Sequence, residues 1–145
     1  MYKKLLLLLG INVAVMFAIT YVMVWEWGHL HLNINRLYMA LLMAAPMGIL
    51  MLIAMRHMFQ RHRLTRTLHA FFIALMVILF LLIRTQTPVG DDQFLRSMIP
   101  HHSGAILMCE RAALTDPELV QLCDKIVQSQ REEIVQMESM LRRRN

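Results

Sequence analysis

Only two cysteines, Cys109 and Cys123, occur in the 145 residues, so no multi-bridge disulfide framework holds this chain together. No phosphate-binding glycine loop, nucleophile–base pair or paired-carboxylate arrangement can be picked out, and the expectation is that the chain is not an enzyme. No small-residue cleavage site follows the first apolar run, which is also longer than the core of a secretion signal; it is expected to remain as an anchor. The net charge of +5 has no aromatic-interleaved basic stripe to go with it, which removes nucleic acid from the expected partners.

What the chain has in plenty is apolar surface: 57% of its residues are hydrophobic, too many for an ordinary soluble domain. Most lie before Arg84, in runs at Leu5–Trp25, Leu37–Met55 and Leu68–Ile83. A bilayer is crossed by about 20 helical residues, and the shorter third run borrows Thr67 and Thr85 to Thr87. An all-α protein is expected, with transmembrane helices at about 5–25, 37–55 and 67–87 within a lipid-embedded region 1–87. Lys3 and Lys4 precede the first helix and Arg56, Arg61, Arg63 and Arg66 fill the second connection, whereas the first connection sets Arg36 against Glu26. Positive charge stays inside. The N-terminus is therefore expected in the cytoplasm and everything after about Arg84 outside, which in a bacterial inner membrane is the periplasm. Trp25, Trp27 and Tyr38 fall where an outer aromatic belt belongs.

Residues 88–145 read as an amphipathic helical hairpin. Asp91 or Asp92 caps a helix of about 91–114, and Asp116-Pro117-Glu118 starts a second of about 116–144, whose arginines suit a helix C-terminus. Pro100 should bend the first helix or free a backbone carbonyl. At about 100° per residue, Phe94, Met98, His101, His102, Ala105, Met108, Cys109 and Ala112 share one face, expected to be buried. Leu119, Cys123, Ile126, Gln130, Glu133, Ile134, Met137 and Leu141 share the other. A turn centred near residue 116 makes His102 face Gln130, places Met98 within a turn of Glu133 and Met137, and sets Cys109 opposite Cys123.

Two thioethers, two imidazoles, a glutamine and a glutamate thus converge at one level. Thioether and imidazole suit Cu(I) or Cu(II); Glu133 keeps zinc and iron as alternatives. Met98, His101, His102, Met137 and, as ligand or orienting group, Glu133 are the candidate metal ligands. Gln130 is expected beside the histidines as a hydrogen-bonding partner. Adjacent helical histidines point about 100° apart, so sharing one ion requires a distorted helix or a second chain. Cys109 and Cys123 have three readings: a disulfide closing the hairpin, two buried thiols, or soft-metal ligands.

Met39, Met43, Met47, Met51 and Met55 recur every fourth residue in the second apolar run, with Met58 beyond and Pro46 among them. A winding packing ridge is the expected role, and a Cu(I) path the sharper alternative. His29 and His31, in the first connection, could add ligands or simply decorate a loop. His57, His62 and His69 lie among arginines on the headgroup side and are assigned no role.

The run Asp92-Gln93-Phe94 through Met98-Ile99-Pro100-His101-His102, with Ala105-Ile106, Met108, Ile126, Gln130, Glu133-Ile134, Met137 and Leu141, resembles the domain of unknown function 305 family over about residues 91–141. The resemblance implies a ferritin-like fold in which helical hairpins pair into four-helix bundles. It also implies association with copper binding and tolerance on the periplasmic side, and adds Met108 to Met98, His101, His102 and Met137 as metal-site candidates. One hairpin per chain implies a homodimer or higher oligomer. The expected function is a membrane-anchored copper protein that sequesters or hands over the ion. The rival is a structural or regulatory membrane protein whose hairpin is an oligomerisation module with a buried polar network and no metal.

Overall fold

The computed structural model describes residues 2–59 and 61–144. Among these the chain forms five α-helices and no strand: α1 (Tyr2–Ile19), α2 (Ile34–Ala54), α3 (His62–Thr85), α4 (Asp91–Arg111) and α5 (Pro117–Arg144), with 3-10 turns at Trp27–His29 and Arg56–Met58. They divide into two units. One comprises Met1–Thr20 with Asn35–Pro88, the other Tyr21–Ile34 with Val89–Asn145.

In the first unit, α1, α2 and α3 are each long and apolar enough to cross a membrane. Helix α1 ends at Ile19, six residues short of the apolar run's end at Trp25. Beyond it, the Thr20 hydroxyl turns back to the Phe17 carbonyl at 2.6 Å, and the following residues belong to the second unit. Helix α3 starts at His62 and takes in Arg63 and Arg66, which sequence reading left in the connection. Leu5, Leu9, Ala45, Leu52, Phe59 and Phe72 form the core. Gly48 makes this packing possible, because a Cβ there would stand 2.9 Å from the Phe72 ring. The methionine ridge turns by about 40° at each fourth residue: Met39, Met43 and Met47 are exposed, whereas Met51 and Met55 pack against the core.

In the second unit α4 and α5 run antiparallel. Asp116 Oδ1 accepts the Glu118 N–H at 2.8 Å, capping α5 ahead of Pro117 at the first helical position. The cap of α4 is Gly90 rather than an aspartate; Asp91 and Asp92 occupy the first turn, where their charge favours the helix N-terminus. Arg144 at the end of α5 reaches Asp91 at 2.7 Å and Asp92 at 3.6 Å. Near the turn Cys109 and Cys123 are joined by a disulfide with Cα atoms 5.3 Å apart. The core between the helices is Leu95, Ile99, Ile106, Ile134 and Leu141.

The stripe of α4 that packs on α5 is therefore Leu95, Ile99, His102, Ile106 and Cys109, not the face centred on Phe94, His101 and Met108. Phe94 and Met108 are 51% and 55% exposed. The two stripes have the same heptad spacing and lie side by side, and the branched aliphatic side chains of Leu95, Ile99 and Ile106 decide between them.

Segment Tyr21–Ile34 straps across α4 on a third side. Pro100 has no N–H to give the Arg96 carbonyl one turn earlier, and α4 nevertheless continues through it. Asn33, 5% exposed, supplies the missing donor: its Nδ2 lies 3.2 Å from the Arg96 carbonyl and 3.1 Å from that of His31. Fully buried Ser103 accepts the Trp25 N–H at 2.8 Å and meets His29 Nδ1 at 3.0 Å. Gly104 admits the strap, since a Cβ there would stand 3.2 Å from the Met23 carbonyl. Arg111 lies over the Trp25 ring, 5.3 Å from its centre.

Candidate metal site

His102 is buried against α5, with its Nδ1 2.9 Å from Glu133 Oε2. The two atoms are within ion-pair distance but lack the alignment of a hydrogen bond, and Nδ1 has no other partner. Ser129 donates to the second carboxylate oxygen at 2.8 Å, which fixes Glu133 in place. Burial, above all, holds the His102 pKa below its ordinary value; Glu133 opposes this and neighbouring His101 adds to it. At neutral pH the ring is therefore an uncharged lone-pair donor.

The partner of His102 is Glu133 instead of Gln130, three residues further from the turn than expected. Helical side chains lean toward their own N-termini, and in an antiparallel pair both leans lengthen the register in the same sense. Met98 lies about one turn before His102 along α4, and Met137 about one turn after Glu133 along α5, about 5.4 Å in each case. Both methionines are half-buried, and Met137 packs on the hairpin core.

Two candidates are not brought to this place. Met108 is exposed. His101 is exposed too, its ring centre 5.9 Å from that of His102 at 61° between planes. Among the described residues no three His, Cys, Asp or Glu side chains are close enough to hold an ion. One chain thus brings together an imidazole and a carboxylate.

His29 and His31 do not join this pair. The Nε2 of His29 stands 3.9 Å from both Glu26 and Glu138. His31 lines a cavity of about 270 Å³ with Arg96, Glu138 and Arg142. Its Nε2 is buried without a partner. Sequence reading missed Asn33 and Ser103 altogether. The signal for the first was Pro100, whose missing N–H requires some donor to satisfy the carbonyl it frees.

The sequence model of the family described as Domain of unknown function (DUF305) matches residues 80–141. The chain is also similar to uncharacterized protein L153 of Acanthamoeba polyphaga mimivirus, 38% identical over 117 residues that cover 79% of this chain and 74% of the relative. No solved structure matches. The match begins at residue 80, within the last turns of α3, and takes in the whole of α4 and the Met98–His102 motif. Motif, hairpin and the extent of the viral relative agree: the chain belongs to the DUF305 family.

Proposed function

We propose that this protein is a membrane-anchored metal-binding protein whose hairpin holds copper through His102, Glu133 and the neighbouring thioethers of Met98 and Met137, for sequestration or handover without catalysis. The observation that carries the reading is the unaligned contact of 2.9 Å between Nδ1 of buried His102 and Oε2 of half-exposed Glu133. Two donors bound at right angles to one ion by bonds of about 2.1 Å stand about 3 Å apart. The depressed basicity of His102 favours the form that can donate to a metal. Thioethers select a soft ion, hence copper over zinc or iron.

The finer placement is part of the same proposal: a bacterial inner membrane, N-terminus in the cytoplasm, hairpin in the periplasm, and two hairpins completing a ferritin-like four-helix bundle. The topology draws support from the strap and the hairpin sharing one unit, since the connection after α1 and the segment after α3 must emerge on the same side of a bilayer crossed three times.

A second reading is favoured by the Asn33–Arg96 and Trp25–Ser103–His29 hydrogen bonds, which make the Met98–His102 region a structural joint. Metal content and stoichiometry of the membrane-extracted protein, with thermal unfolding at rising Cu(I), separate the two. The metal reading predicts bound copper and a midpoint that climbs once the ion exceeds its dissociation constant. Copper-free protein with an unmoved midpoint would leave the structural reading standing alone.

A further inference from the structure

Three elements of the second unit meet around a cavity of about 270 Å³ that the copper reading leaves unused: the strap through His31, α4 through Arg96, and α5 through Glu138, Leu141 and Arg142. Its polar groups do not satisfy one another. The His31 Nε2 is buried and has no hydrogen-bond partner. The half-buried Arg96 guanidinium makes no ion pair or hydrogen bond among the described residues, although it is near enough to lower the basicity of His31. Glu138, by contrast, is engaged: one carboxylate oxygen lies 3.5 Å from Arg142 and the other 3.9 Å from His29. With His31 uncharged, the lining keeps one positive charge over, beside an imidazole nitrogen that lacks a partner.

We propose that this cavity binds a phosphate group, held by the Arg96 guanidinium and the His31 Nε2, with exposed Arg142 at its rim. A tetrahedral oxyanion has an acceptor for each: the guanidinium fork pairs with two of its oxygens, and the imidazole, in the tautomer with its proton on Nε2, donates to a third. The same walls disfavour a cation, since two guanidinium groups line the space and Arg96 already opposes positive charge on His31. The volume is somewhat below the roughly 300–1,000 Å³ of drug-sized ligand sites, which suits a phosphate with a short substituent. That chemistry is common to a lipid headgroup and to free inorganic phosphate. Two features favour the headgroup. Three residues, about 11 Å of chain at full extension, separate His31 from the start of α2, a helix long and apolar enough to cross a membrane. And Trp27, Leu30 and Leu32, on either side of His31 in the strap, are exposed apolar side chains suited to the lipid interface.

Full-length protein in a phosphate-free detergent is titrated calorimetrically with inorganic phosphate, with dihexanoyl phosphatidylglycerol, and with dihexanoylglycerol, which lacks the phosphate. At least one phosphate compound should bind saturably and dihexanoylglycerol should not. Arg96→Gln should weaken that binding by about tenfold or more, as expected for loss of a charge-assisted pair, and Arg96→Lys by less. The backbone carbonyl that Asn33 holds is untouched in both, so helicity should be unchanged. Glu138→Gln, which takes a negative charge from the wall, should strengthen binding, an effect that loss of folding does not produce. Tighter binding of the lipid than of inorganic phosphate identifies the headgroup as the ligand, and the reverse order identifies free phosphate; both support the site. Four results would each overturn the proposal: no saturable binding of either phosphate compound, an Arg96→Gln affinity equal to the parent's, a Glu138→Gln affinity no higher than the parent's, or Zn(II) binding that His31→Ala abolishes, which assigns the cavity to a cation.

Discussion

Asn33 and Pro100 are 67 positions apart in the chain and form one device: the ring removes a donor from the Arg96 carbonyl, and the Asn33 amide replaces it. An unsatisfied buried carbonyl costs about 1–3 kcal/mol, so Asn33→Ala should destabilise the hairpin by that order in thermal or denaturant unfolding. In a Pro100→Ala background, where the helix supplies its own N–H, the same substitution should cost clearly less; equal losses in both backgrounds would break the coupling. His31 supplies a pH test. Its pKa is lowered chiefly by burial, then by Arg96 and His29, against Glu138. The unfolded chain therefore takes up a proton that the folded one resists. This contribution to stability is complete above about 6.5 and is lost as pH falls from there toward the folded value. His31→Leu should flatten the pH dependence of stability below 6.5; parallel curves for parent and variant would contradict it. At this scale the sequence disclosed the Met98–His102 motif and the proline's unpaired carbonyl. It could not disclose Asn33, because what answers a missing donor is settled by tertiary packing.

Among the elements, both hairpin helices were legible from their signals, Asp116-Pro117-Glu118 above all, and from heptad spacing. The face of α4 was not. Two adjacent stripes satisfy the same periodicity, and the thioethers and imidazole of Met98, His101 and Met108 drew attention away from Leu95, Ile99 and Ile106. Counting from the turn placed Cys109 opposite Cys123 correctly but misread the partner of His102 by three residues, since the count follows Cα positions while contacts follow the lean of side chains. Ile99, fully buried, is the centre of the interhelical core. Ile99→Ala should cost about 2–5 kcal/mol, whereas Met108→Ala, on the exposed stripe, should be nearly neutral in a monomeric background. Reduction of Cys109–Cys123, 14 residues apart in sequence, should remove about 3 kcal/mol from the hairpin by releasing a loop of that length. Unfolding that is the same with and without reductant would show that the hairpin is held by its core alone.

For the whole molecule, composition and run length were enough to find three helices able to cross a membrane, yet not where the first of them stops. Apolar residues from Val22 to Trp25 read as membrane span, but they belong to the strap that packs on α4; hydropathy does not distinguish a lipid contact from a protein contact. The proposed topology predicts that, in intact cells, Lys125→Cys reacts with a membrane-impermeant thiol reagent and Thr65→Cys does so only after lysis. The claim on which the account turns is that the hairpin binds copper at His102 and Glu133. Its most direct test is competition for Cu(I) against a chromophoric chelator, comparing the detergent-extracted parent with a variant carrying His101→Ala and His102→Ala. The account predicts that the parent withdraws the ion and the variant loses most of that affinity while retaining its helicity; a variant that binds Cu(I) as tightly as the parent would contradict it.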